Sequence, residues 1–172
     1  MDPLSFPVLA GAALSQAFGF LFGRLAHLLD SRGQKSVEEE AIETPPVLTG
    51  QLKPLIPRPE AVEEHLSEIQ ELVGKLFIYD RSPERLDGQD DTLREDLARA
   101  RVLLEQIYGQ RFTFAGEKRP PTGVYVEQKL DTVSGRAVGV RGGKVRQAQV
   151  RQEAREVRKG SSIVGVDADE VG

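Results

Sequence analysis

Two segments near the C-terminal end of this chain repeat one another, and they constrain its architecture more than any other feature. Residues 124–133, Val-Tyr-Val-Glu-Gln-Lys-Leu-Asp-Thr-Val, lie over 148–157, Ala-Gln-Val-Arg-Gln-Glu-Ala-Arg-Glu-Val. After a one-residue slip at Gly135/Gly160 and another beyond it, Val138-Gly139-Val140 falls on Val164-Gly165-Val166. An internal repeat decides architecture because each copy is one structural unit that buries its apolar face on the next. Both segments read as strands, with Val124, Val126, Gln128 and Leu130 on one face and Ala148, Val150, Gln152 and Ala154 on its counterpart.

The opposite faces carry the more specific information. Glu127 aligns with Arg151, Lys129 with Glu153 and Asp131 with Arg155, and Arg141 aligns with Asp167 at the second offset, each time with inverted sign. Directly apposed opposite charges contribute about 0.2–1 kcal/mol per pair, and like charges cost a similar amount. The pattern therefore favours parallel, in-register stacking, with Gln128 over Gln152 placed for an amide ladder. A two-rung β-solenoid with Gly135 and Gly160 at its corners follows; the competing expectation is a small antiparallel sheet whose halves arose by duplication. Two rungs leave unpaired edges. The first rung of one copy complements the second rung of another, so the same code predicts stacking between molecules.

The N-terminal segment has a different character. From Leu4 to Gly23 there is no charged residue, about the ~20 residues a helix needs to cross a bilayer. The spacing predicts one helix over 4–31, or one that starts after Pro7, with Ala10, Leu14, Phe18, Leu21, Leu25 and Leu28 in an apolar stripe. Gly11, Ser15, Gly19 and Gly23 recur every four residues as a second ridge flanked by Phe18 and Phe22. Gly19-x-x-x-Gly23 is the small-residue spacing that lets helix backbones approach closely. With no Lys or Arg before Arg24, the segment lacks the basic start of a secretory signal.

Residues 33–59 hold half of the chain's ten prolines and the acidic run Glu38-Glu39-Glu40, which predicts an extended linker. Beyond it, Val62, Leu66, Ile69, Val73 and Leu76 predict a helix over 60–78, and Leu93, Leu97, Ala100, Leu104 and Ile107 a second, ending at Gly109. Thr92-x-x-Glu95 reads as the capping box of that second helix. Two amphipathic helices with a short connection form an antiparallel hairpin. After Gly109 the period switches to two, with Phe112 and Phe114 alternating with polar residues. The expected class is α+β, built from an apolar Gly-rich helix (1–32), a Pro-rich linker (33–59), a helical hairpin (60–110) and a tandem β unit (111–172).

Catalytic chemistry finds no foothold in these residues. Zero Cys excludes disulfides and thiolate metal sites and fits a reducing, cytoplasmic setting. His27 and His65 stand on separate helices without further ligand types at metal spacing. Gly139-Val-Arg-Gly-Gly-Lys144 resembles a phosphate loop, but the required spacing fails at Val138 and Val145 occupies the hydroxyl position, so it reads as a β turn. The net charge of −4 gives no overall attraction to nucleic acid, and the seven Lys or Arg between Arg141 and Gly160 are interleaved with no aromatic. The expectation is a non-enzymatic protein without cofactor or metal. It forms homo-oligomers, engages a protein partner through the β unit, meets a membrane through residues 4–29, and does not bind nucleic acid.

The order of parts resembles the HeLo and bacterial Bell class of cell-death effectors with amyloid-signalling tails. The resemblance lies in organisation and in no diagnostic motif. It implies a tail, here 124–140 with 148–166, templated into a β-solenoid, and a membrane-attacking element, here Leu4 to Leu29. Departures are the absence of an Asn ladder, the linker lying before the hairpin rather than before the repeats, and a hairpin small for that class. A second expectation, of a different kind, is a structural or adaptor protein whose first helix packs in a homo-oligomer and whose tail docks a partner.

Overall fold

The computed structural model of the chain describes residues 5–31, 42–133, 136–145, 148–157, 159 and 162–171. It has the expected α+β make-up: among the described residues, four α-helices are followed by a β region, α1 (Gly11–Asp30), α2 (Pro59–Glu64), α3 (Leu66–Arg81), α4 (Asp91–Tyr108), β1 (Gln110–Arg111), β2 (Gly123–Val133), β3 (Arg136–Val145), β4 (Ala148–Val157) and β5 (Ser162–Val171). The chain divides into two compact units, Met1–Thr122 and Gly123–Gly172.

In the first unit α1 packs on both α3 and α4, which lie against each other. The predicted stripes face inward: Leu14, Phe18, Leu21, Leu25 and Leu28 of α1, Ile69 and Leu76 of α3, and Leu93, Leu97, Ala100, Leu104 and Ile107 of α4 are buried. Helix α1 starts seven residues later than its apolar run. Residues 5–10 stay outside the helix, because Pro7 disfavours helix in the residue before it and Phe6 and Leu9 are drawn into the core. At Gly88 the Leu9 carbonyl passes so close that any Cβ would lie 1.8 Å from its oxygen, so this crossing demands glycine.

The helix expected over 60–78 is broken at His65, which leaves the helical region at φ −101°, ψ 12° and separates α2 from α3. Helix α4 is capped by Asp90 and not by Thr92: the Asp90 carboxylate accepts from the backbone N–H groups of Thr92 and Leu93 at 2.9 and 3.2 Å. Gly109 stops the helix in the left-handed conformation at φ 63°, which glycine adopts without a Cβ clash.

Residues 42–58, inside the segment whose prolines suggest a spacer, belong to the core. Val47, Leu48, Leu52 and Leu55 are buried, and the strap is stitched to the end of α4 and the residues after it. Arg58 N donates to the Ile107 carbonyl (2.9 Å), Lys53 N to Gln110 Oε1 (3.1 Å), Thr49 N to the Thr113 carbonyl (2.8 Å) and Ala115 N to the Val47 carbonyl (2.8 Å). Proline suits an extended strap that lacks N–H partners at alternate positions. Composition alone does not separate such a strap from a solvated spacer. The rest of the expected linker, 33–41, lies outside the described residues.

Residues 111–122 also belong to the first unit. Phe112 and Phe114 are fully buried, with Phe112 edge-on to Phe20 (5.2 Å between centroids) and Phe114 tilted on Phe6 (5.1 Å). The second unit therefore begins at Gly123. In it β2 pairs parallel with β4 and β3 parallel with β5, so each pseudo-repeat gives one strand to each ladder. This overturns the antiparallel alternative. Gly139–Lys144 lies within β3, so the expected turn there is a strand. Gly135 and Gly160 lie outside the described residues.

Candidate assembly surface

The register of the second unit follows the repeat alignment residue by residue. Val124 partners Ala148, and the ladder runs on through Glu127 opposite Arg151, Gln128 opposite Gln152 and Lys129 opposite Glu153. Asp131 and Arg155 sit between the partnered pairs Leu130/Ala154 and Thr132/Glu156 of the same ladder. In the second ladder Val138 partners Val164 and Arg141 partners Asp167. One pair escaped the sequence reading: Lys144 opposite Glu170. Carrying the Val138/Val164 alignment to the strand ends reaches it without further information.

Two regularities govern these ladders. Wherever a charged residue partners another charged residue among the described positions, the signs are opposite. Where valine partners valine, as at 126/150, 133/157, 138/164, 140/166 and 145/171, β-branched residues occupy both members, the residue type that suits a pleated surface. Four opposite-sign pairs at about 0.2–1 kcal/mol each give about 1–4 kcal/mol in favour of this register. A one-residue slip would bring Glu127 opposite Gln152 and Lys129 opposite Ala154, forfeiting the pairs at once. In the sheet order β3, β4 and β5 are terminal strands, each with one edge that carries no strand partner among the described residues.

The other expected surface, the ridge of α1, is resolved into two faces. Phe18 and Phe22 point into the core; they stack on each other at 5.5 Å, and Phe18 meets Tyr79 edge-on at 6.3 Å. Their burial removes them from any outward-facing contact in this conformation. Gly11, Ser15 and Gly19 are exposed and Gly23 is half-buried, and a Cβ added at any of the three glycines would meet nothing within 4 Å. The Ser15 hydroxyl donates back to the Gly11 carbonyl (3.3 Å). The ridge is therefore an outer face, small and uncharged from Gly11 to Gly23. Helix α1 has the length and hydropathy to cross a membrane; a core helix has them too, and eight of its residues are buried here.

Among the described residues, ionisable groups come together as ion pairs within the helical unit. Arg99 bridges Glu68 (3.3 Å) and Glu71 (3.2 Å) across α3 and α4, and Lys75 meets Glu71 (3.0 Å) and Asp96 (3.5 Å). Hydrogen bonds from Lys75 and Arg99 hold the Glu71 carboxyl below its usual range. Arg119 grips Glu105 through both carboxylate oxygens at 2.9 and 3.1 Å. Comparison of the chain with protein-family models, with curated proteins and with solved structures found no match.

Proposed function

We propose that this chain is a non-enzymatic self-assembling protein whose copies stack through the β unit, bringing their helical units together. The observation that carries this reading is the parallel register with opposite charges at every charge-on-charge position. Rung two presents the sign pattern that rung one complements, so the charges of rung two in one copy match those of rung one in the next as well as they match its own first rung. The contact is head-to-tail, and such contacts propagate unless something stops them. Rung-one-on-rung-one stacking instead sets Glu127 on Glu127 and Lys129 on Lys129, which fixes strict alternation.

The activity gathered by the stack is proposed as membrane attack of the cell-death effector kind, at the cytoplasmic face of a membrane. What supports it is the length and apolar character of α1 together with its outer face, which lacks the charges that surface helices ordinarily carry. Because the α1 stripe is committed to the core, engagement of a bilayer requires α1 to leave it. The rival reading, a structural or adaptor protein, keeps α1 in place and uses the Gly11/Ser15/Gly19/Gly23 face between copies.

Two experiments test the proposal. Changing Arg151 and Arg155 to Glu turns attraction into repulsion at two positions per interface, a change of about 1 kcal/mol or more. It raises the concentration needed for assembly at least about five-fold, and adding Glu127→Arg and Asp131→Arg restores it. Unchanged assembly in the first variant refutes the charge code. Liposome leakage by the wild-type chain, reduced by Gly19→Leu/Gly23→Leu, separates the membrane reading from the adaptor reading. A Cβ at either glycine meets nothing within 4 Å, and helical circular dichroism verifies that the double variant stays folded. Absence of leakage under assembling conditions rejects membrane attack.

A further inference from the structure

Residues 5–10 hold back part of the uncharged run at the start of the chain. From Ser5 to Gly23 no residue is charged, yet α1 takes up only Gly11–Gly23 of that run, thirteen residues. At 1.5 Å per residue these reach about 20 Å, short of a hydrocarbon core of about 30 Å. The rest of α1 brings in Arg24 and Asp30, charges that a bilayer interior disfavours.

The arm that precedes α1 is fastened to the helical unit at three points. The Arg101 guanidinium donates to the Ser5 carbonyl (2.7 Å). Phe6 is buried and tilted on Phe114, with 5.1 Å between centroids. Leu9 is buried as well, and its carbonyl crosses Gly88 where a Cβ would lie 1.8 Å from the oxygen. Between arm and helix the chain kinks. Ala10 is extended at φ −137°, ψ 158°, and Gly11 is left-handed at φ 55°, a conformation glycine adopts without a Cβ clash.

We infer that the arm is a latch that withholds helix: once residues 5–9 detach and Gly11 turns right-handed, the arm winds onto α1 and completes a membrane-spanning segment. The inference rests on the membrane reading proposed above and adds the conformational step that reading requires. Pro7 suits the first helical position, where its missing N–H has no partner to lose and its φ is already helical. Phe6 then stays non-helical, as the residue before a proline prefers. A helix from Pro7 has seventeen uncharged residues to Gly23, about 26 Å long and within the roughly 17–25 residues that span a bilayer. Arg24 falls at its end, where a long basic side chain reaches the headgroups. In the folded unit the latch holds because Phe6 and Leu9 are buried there. A bilayer removes the same apolar surface from water, so that advantage disappears on a membrane.

Two measurements on the full chain test this. The first is hydrogen exchange read by mass spectrometry, on wild-type chain free and bound to vesicles of equal parts phosphatidylcholine and phosphatidylglycerol. The amides of Gly11, Ala12 and Ala13 lie in the first turn of α1, ahead of its first intrahelical bond; in the lengthened helix they donate to the carbonyls of Pro7, Val8 and Leu9. Their exchange is expected to slow at least about ten-fold on the vesicles. The second is vesicle leakage by Gly11→Ala. A Cβ there meets nothing within 4 Å, so no packing is lost, while the left-handed kink penalises alanine and the lengthened helix favours it. Leakage is expected to rise at least about ten-fold, with helical circular dichroism and α4 amide protection in the absence of vesicles verifying the fold. If the variant fails that check, Gly88→Ala, which displaces the Leu9 carbonyl, takes its place. Exchange at residues 11–13 as fast on vesicles as in solution overturns the latch, and so does leakage by the variant no greater than that of a wild-type chain that leaks; membrane attack stands in both cases. No leakage by either chain overturns the latch together with the membrane reading.

Discussion

The helical unit holds a buried ion pair whose disruption has a calculable consequence. Arg101, on α4, is 0% exposed, and its guanidinium donates to the Glu117 carboxylate and to the Ser5 carbonyl (2.7 Å). It lies 5.7 Å from the centroid of the Phe6 ring. The second Glu117 oxygen accepts from Phe114 N (2.7 Å). Burial, reinforced by the neighbouring Arg119, holds the Arg101 guanidinium below its usual range, with Glu117 and Glu105 acting in the opposite sense. Glu117→Gln leaves that cation buried without its counter-charge, a loss of about 3–5 kcal/mol. For a unit of this size that is a fall in Tm of about 12–20 °C. Urea unfolding followed by circular dichroism at 222 nm measures it. Arg101→Met/Glu117→Gln removes the stranded charge and recovers most of the loss, since an apolar replacement of a buried pair is often neutral. A loss under about 1 kcal/mol for Glu117→Gln, or a double variant no better than the single, refutes the view that this pair is a desolvated cross-brace.

Three further outcomes follow from individual side chains. Leu55→Ala destabilises the helical unit by about 2–5 kcal/mol, the range for a buried leucine; a solvated spacer residue would change urea unfolding by less than about 0.5 kcal/mol. Asp90→Ala costs about 1 kcal/mol through loss of the α4 cap, whereas Thr92→Ala is nearly silent in the same assay. The Tyr79 phenol donates to Asp90 Oδ2 (3.2 Å), and burial first, then the Asp90 charge, raises its pKa. The unfolded chain thus ionises first as pH rises past about 10. Stability falls from there up to the folded pKa, and Tyr79→Phe flattens that alkaline limb in unfolding measured against pH.

The parts of this chain that were legible in the sequence are those where a periodic pattern and a local signal agree. The α4 stripe ending at Gly109 is one such case, and the alignment of 124–133 on 148–157 is another, because strand register in a repeat is set by the repeat itself. What escaped was settled by tertiary packing. Residues 42–58 have a linker's prolines, yet Leu52 and Leu55 fill the core, and nothing local distinguishes an apolar residue that packs from one that does not. Phe112 and Phe114 carry a strand's alternation and are buried in the helical unit. Phe18 and Phe22 stand beside a glycine ridge in sequence but turn to the opposite side, since α1 must bury its widest apolar stripe. Asp90 outcompetes Thr92 as cap because its carboxylate reaches two N–H groups at once.

The absence of cysteine from the sequence makes introduced thiols unambiguous reporters of how copies meet. Gln128 and Gln152 are register partners, and Cα atoms on neighbouring strands, about 4.8 Å apart, fall within the 4.4–6.8 Å span of a disulfide. A chain carrying Gln128→Cys is mixed with one carrying Gln152→Cys under assembling conditions and oxidised, and the linked species are identified by mass. Head-to-tail stacking predicts that the 128–152 product predominates over 128–128 and 152–152. Equal yields of the three products, or none, would contradict assembly through the charge-matched rungs.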